Sequence, residues 1–211
     1  MKTLTDLPKA IFSTLQSHYR SAVHAAENSY HMGAADEDSL TGALGQAMAM
    51  PGEHFFDYGG NRASVKIGYM KLRGRGPNAP EKSFGSDGIF QIEVLDHSGN
   101  SLFMKGLAFQ AKNNWTYKLS QLADQAALME QHTPGGIVID FRASGYGACL
   151  ASIAKEAQGR RPVDMRDLGD LLATDFLNCT LGTPNLWFNN GRRQFEKRST
   201  NLHIITTTVK L

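Results

Sequence analysis

The sequence predicts an α/β fold: a mixed central β-sheet flanked by helices. Three observations lead there. Apolar residues recur at helical spacing over residues 8–50. Alternating, turn-bounded stretches follow between residues 64 and 112. An amphipathic helix and a short all-apolar strand come next, the order expected where helices pack on a sheet.

Asp6 and Pro8 read as an N-cap and first helical turn. Phe12, Leu15, Tyr19, Val23 and Ala26 then mark one helical face, and Gly33 closes the region. A second helix is expected over residues 36–50, with Leu40, Leu44, Ala47 and Met48 apolar and Pro51-Gly52 ending it. Residues 64–72 read as a strand, 74–80 as a loop, and 88–95 and 102–112 as a hairpin joined by His97-Ser98-Gly99-Asn100. These strands form a meander. Residues 115–131 read as a helix with Leu119, Leu122, Ala126 and Met129 inward, and 137–141 as a buried strand. Helices are expected at 148–158 and 163–179, and strands at 186–188 and 202–209. One domain is expected over the 211 residues. Its core spans about 36–141, and the helix at 7–31 and the part from 142 to 211 are elaborations.

Hydrophobic residues make up 41% and charged residues 20%, ordinary for a globular chain. Net charge is +2, so any nucleic-acid-binding surface must be local. Cys149 and Cys179 lack metal-ligand spacing and read as buried thiols. No apolar run approaches the ~20 residues of a membrane helix. The N-terminus lacks the apolar core of a signal peptide, so a cytoplasmic location and no membrane partner are expected.

Chemistry concentrates between Gly85 and Asn113. With Ser98-Gly99 as a two-residue turn, His97 pairs with Asn100, and the same register sets Asp87 opposite Gln110. Lys112 lies two residues on, on the same face. A carboxylate, an amide oxygen and an ammonium thus converge. Asp87, Gln110 and the Ala111 carbonyl are hard oxygen donors of the kind Mg²⁺ takes. Lys112 would orient a metal-activated hydroxide or stabilise transition-state charge. Against this stand ordinary turn chemistry for Ser86-Asp87-Gly88 and a solvated strand edge for Gln110 and Lys112. Glu93 shares strand parity with Asp87 but reads as a cross-strand partner of a lysine such as Lys105. Glu81 stays unassigned.

Gly85-Ser86-Asp87-Gly88 followed one hairpin later by Gln110-Ala111-Lys112 resembles the PD-(D/E)XK nuclease superfamily, most closely its Mrr-type branch. Gln110 stands where the wider superfamily has Glu or Asp, which removes one negative charge from the metal site. The resemblance covers roughly residues 36–141. It implies a restriction-endonuclease-like fold and an endonuclease using Mg²⁺ or Mn²⁺ on DNA, in restriction or anti-phage defence. It also implies an acid on the helix before the sheet. Helical spacing puts Glu37 on the inward stripe with Leu40, Leu44 and Met48, and leaves Asp36 and Asp38 to cap the helix. The resemblance further implies a supporting glutamine on the helix after Lys112, which carries Gln121 and Gln125, and Gln125 is the candidate.

Lys71, Arg73 and Arg75, with Arg192 and Arg193 beside Lys197 and Arg198, are the candidate DNA-backbone contacts. Double-strand cleavage is simplest for a homodimer with two sites. The alternative is a partner-activated or catalytically silent nuclease-fold subunit, controlled by a regulatory or sensor chain and acting as a nucleic-acid-binding module.

Overall fold

The structure, a computed structural model, describes residues 3–72, 85–187, 194–195, 197–198 and 202–211. After a 3₁₀ turn (Leu4–Asp6), α1 (Lys9–Asn28) buries Ile11, Leu15, Tyr19, Ala22, Val23 and Ala26, one stripe at helical spacing. Pro8, not Asp6, stands at its N-cap; the Asp6 carboxylate instead accepts from the Thr3 amide at 3.1 Å. A short α2 (Tyr30–Gly33) leads to α3 (Glu37–Met48). Asp36 caps α3, accepting from the Ser39 amide at 3.0 Å. Ser39 Oγ also donates to Asp36, and chiefly through that bond the carboxyl pKa lies below its usual value.

The strands are β1 (His54–Tyr58), β2 (Asn61–Leu72), β3 (Gly88–Leu95), β4 (Ser101–Asn113), β5 (Ile137–Phe141), β6 (Gly147–Leu150), β7 (Arg166–Asp167), β8 (Thr183–Pro184) and β11 (Leu202–Lys210). They form one nine-stranded sheet in the order β1-β2-β11-β3-β4-β5-β6-β7, with β8 beside β4. Gln194–Phe195 (β9) and Lys197–Arg198 (β10) make a separate two-stranded ladder. The chain is therefore α/β with a mixed sheet, since β11 runs parallel to β3 and β5 parallel to β4 while the other pairs are antiparallel.

The expected meander is interrupted. β11 lies between β2 and β3, so the tail set apart as an elaboration supplies a central strand. Its composition suits the place: His203, Ile204, Ile205, Thr207 and Val209 are buried, and pairing on both edges satisfies a backbone that solvent cannot reach.

The hairpin differs at its tip and agrees in its body. Asp96 and Asn100 close a three-residue loop, with Gly99 at φ 83°. This moves Leu95 opposite Ser101, one step from the expected register. A bulge between Val94 and Leu95 restores it, so Gly88 pairs with Phe109 and Asp87 falls beside Gln110. Lys105 pairs with Ile92 and Glu93 with Met104, so Glu93 and Lys105 occupy opposite faces and are not cross-strand partners.

Further along, α4 (Ser120–His132) starts later than expected, and residues 147–150 pair as β6 rather than opening a helix. Only Ala151–Glu156 is helical there (α5), because a free edge of β5 captures Gly147 to Leu150 against their local preference. The expected helix at 163–179 becomes β7, α6 (Leu168–Leu171) and a π-turn at Leu172–Phe176. The strand expected at 186–188 is not formed at Leu186 and Trp187, and Phe188 lies outside the described residues. The β1 strand was not anticipated.

Two apolar cores sandwich the sheet. The larger joins α1 and α3 to Phe109, Ala111, Ile137 and Ile139; the smaller joins α4 and α5 to Ala108, Trp115 and Val138. Among the described residues, no helix is long and apolar enough to cross a membrane.

Candidate active site

β4 outruns β3 at one end of the sheet, and the candidate site occupies that step. Alternate residues of a strand direct their backbone groups to the same neighbour. Ala111 and Asn113 therefore both face the place where β3 has ended. Two carboxylates stand in for the absent strand: Asp87 Oδ2 accepts from the Ala111 amide at 2.8 Å, and Glu37 Oε2 from the Asn113 amide at 3.2 Å. The Ala111 carbonyl points to that same edge, between them, since N–H and C=O of one strand residue share a direction.

Register puts Asp87, Gln110 and Lys112 on the face covered by α4. Gln110 is wholly buried, and its Nε2 donates to Asp87 Oδ2 at 2.5 Å. Its Oε1 is buried with no hydrogen-bond partner among the described residues, as is Ser86 Oγ. Leaving a buried acceptor unmet costs about 1–3 kcal/mol, and the Gln110 amide that carries one is bonded to the Asp87 carboxylate.

Glu37 comes from the opposite helix layer. It reaches over the step to meet Lys112 Nζ at 3.2 Å through Oε1. The Lys112 side chain is 15% exposed and that of Glu37 35%. Of the three acids at this helix start, Glu37 is the one at the Lys112 edge and Asp36 is the cap. Asp38 does not cap, contrary to expectation. It forms an ion pair with Lys71 and a hydrogen bond with His203 Nε2, the latter at 2.8 Å.

Gln125 is 4% exposed on α4. The described contact is through its backbone: a Cβ on Gly85 would stand 1.9 Å from the Gln125 carbonyl oxygen. Gly85 also has φ 69°, so both conformation and space require glycine where the chain turns into Asp87. Helix α4 is thus seated directly on the segment that aims the carboxylate.

Beside the site lies a relay absent from the sequence reading. Tyr69 Oη is 2.8 Å from His203 Nδ1, and His203 Nε2 meets Asp38. With a neutral imidazole, Tyr69 donates to Nδ1 and Nε2–H donates to Asp38. Burial holds the His203 pKa below its ordinary value although Asp38 opposes this, and burial with the Asp38 charge pushes Tyr69 up to about 12. Burial also resists ionisation of Asp38, but Lys71 and His203 outweigh it and keep that carboxyl low. Pairing of β2 with β11 brings these groups together across 134 residues, and no local pattern announces it.

Of the candidate DNA contacts, Lys71 is engaged by Asp38. Arg73, Arg75, Arg192 and Arg193 lie outside the described residues, and the side chains of Lys197 and Arg198 are likewise not described.

The donor chemistry fits a hard divalent cation: two carboxylates, one backbone carbonyl and the Gln110 amide oxygen. Half a turn of the Gln110 amide exchanges its NH₂ and Oε1, and would present oxygen toward Asp87. Among the described residues, no group of three or more His, Cys, Asp or Glu stands ready to hold a metal, so any cation here relies on the carbonyl and amide oxygens. Comparison of the chain with family models, with curated proteins and with solved structures finds no match.

Proposed function

We propose that this chain is a metal-dependent endonuclease that hydrolyses DNA phosphodiesters. One observation supports this most: Asp87 and Glu37 bind successive edge amides of β4 around the Ala111 carbonyl, with Lys112 beside them. Such a step concentrates oxygen ligands and one ammonium at a sheet end that a polyanion can reach. The resemblance of the Gly85–Gly88 and Gln110–Lys112 segments to PD-(D/E)XK nucleases agrees with this reading and suggests restriction or anti-phage defence.

Mg²⁺ or Mn²⁺ held by Asp87, Glu37, the Ala111 carbonyl and Gln110 would supply Lewis acidity and a bound water of lowered pKa. Asp87 and Glu37 are positioned by strand amides, so they need little reorganisation to bind. Gln110 contributes a neutral oxygen, which leaves two carboxylates to balance a dication. Lys112, held by Glu37, directs its ammonium to where negative charge accumulates on the phosphorus oxygens or on the attacking oxygen.

The test is plasmid cleavage with Mg²⁺, Mn²⁺ or chelator, using wild type and Lys112→Ala. Metal-dependent cutting lost in the variant is the expected result. Equal cutting by both proteins would overturn the site. Cutting by wild type only after a partner is added would assign the chain to a partner-activated subunit.

A further inference from the structure

We propose that Arg142 and Arg161 form a second anion site, for a DNA phosphate flanking the one held at Lys112; this rests on the nuclease reading. Asp140 is the penultimate residue of β5, where it pairs in register with Lys112 of β4. In-register parallel neighbours share a face and lie ~4.8 Å apart. Asp140 is wholly buried, and its Oδ2 accepts from Arg142 Nε and from Arg161 Nε, each at 2.6 Å. Its Oδ1 accepts from the Trp115 amide at 2.7 Å. One carboxylate thus faces two guanidinium groups, and among the described residues no other acid forms an ion pair with either arginine.

Each arginine uses Nε on Asp140, which fixes its plane and leaves the outer nitrogens to other partners. Arg142 Nη2 donates to the Trp115 carbonyl at 2.5 Å, and Arg161 Nη1 to the Pro162 carbonyl at 3.3 Å. Both side chains remain about a quarter exposed, at 26% and 27%. Arg161 Nη2 lies 3.8 Å from where a Cβ on Gly147 would stand, so this guanidinium extends along the start of β6. Lys112, Arg142 and Arg161 then form a strip across β4, β5 and β6. It spans two strand spacings, on the order of 10 Å. A guanidinium held by a buried carboxylate loses little freedom on meeting a phosphate, whose oxygens match its fork.

The probe is a 20-base-pair duplex in chelator, with affinity measured between 50 and 200 mM salt. Arg161→Gln and Arg142→Gln should each lower the slope of log affinity against log salt by about 1, as loss of one phosphate contact does. Arg161→Lys should recover the slope, because charge governs counterion release. A purely structural role depends instead on Nε geometry that lysine lacks, so equal weakening by Gln and Lys with an unchanged slope overturns the proposal. Folded Gln variants with wild-type affinity and slope overturn it as well.

Should the Gln variants fail to fold, wild type decides. The Nε–Hε NMR signal absent from Arg161→Lys should move when duplex is added to wild type, and a stationary signal overturns the proposal. Binding with the expected slopes but no cutting under any metal would defeat the nuclease reading alone. Cutting with unmoved slopes would defeat the arginine site alone.

Discussion

Strand β4 carries two lysines, and they live in opposite circumstances. Lys105 is 1% exposed, and its ammonium donates to the carbonyls of Phe176 and Leu181, the latter at 3.0 Å, with the Phe176 ring 4.3 Å away. Burial lowers its pKa to about 8 against a partial counter-effect from Cys179. Lys112, seven residues on, meets the partly exposed Glu37 carboxylate at the sheet end, two residues from Gln110, whose buried Oε1 has no hydrogen-bond partner among the described residues. The first lysine is enclosed by backbone acceptors and holds the π-turn and the following loop against β4. The second pairs with the Glu37 carboxylate at the strand edge where Asp87 and Glu37 accept from the Ala111 and Asn113 amides. The first cation is tied to backbone carbonyls inside the fold, whereas the second is the one the proposed function assigns to chemistry.

Removing each lysine should separate their roles. The largest effect belongs to the candidate site: Lys112→Ala and Glu37→Gln should each lower cleavage by about 10²–10³-fold, with circular dichroism unchanged. Lys105→Met should keep cleavage per folded molecule, and a loss as large as that of Lys112→Ala would erase the distinction.

The next effect is on stability against pH. The folded-state pKa of Lys105 is about 8 against an ordinary 10.5, so between these values the unfolded chain binds more protons. Stability from this group therefore rises with pH across that window, by on the order of 3 kcal/mol for the 2.5-unit gap. Burial also raises the Cys149 thiol to about 12, which gives the opposite slope above pH 9. Urea melts of wild type minus Lys105→Met isolate the lysine, and a difference flat from pH 8 to 10.5 would contradict its cage.

Gly85→Ala should cost about 1–3 kcal/mol by denaturant melting, because it strains a positive φ. It should also reduce cleavage by pushing the Asp87 segment off α4. An unchanged midpoint would mean the close approach to Gln125 is absent.

Asp38→Asn should have the smallest effect, under about 1 kcal/mol for a mostly exposed ion pair, with cleavage within a few-fold of wild type. A collapse of cleavage comparable with Glu37→Gln would transfer the role of helix acid to Asp38.

Much of the candidate site was legible because it is built from local rules. Helical spacing selected Glu37 over its neighbours, and strand parity set Asp87, Gln110 and Lys112 on one face. The hairpin register came out right although its turn was misassigned, since the three-residue loop and the bulge near Leu95 shift it in opposite senses. The Asp38–His203–Tyr69 relay and the Asp140 arginine pair were not legible. The relay unites elements far apart in sequence; in the arginine pair Arg142 is two residues from Asp140, but Arg161 folds back onto it from 21 residues on. Side-chain type alone does not say which segments become neighbours.

By itself the sequence determined the inward faces of α1 and α3, the β3–β4 hairpin, the helix and buried strand that follow it, and the placing of Asp87, Gln110 and Lys112 on one face, because these depend on periodicity and turn chemistry within short windows. Tertiary structure alone decided that β11 enters between β2 and β3, that residues 147–150 pair with β5 instead of coiling, and that β3 stops short of β4. Those outcomes rest on backbone hydrogen bonds between distant segments, and an exposed sheet edge accepts a strand for its fit and unpaired amides rather than for its place in the chain.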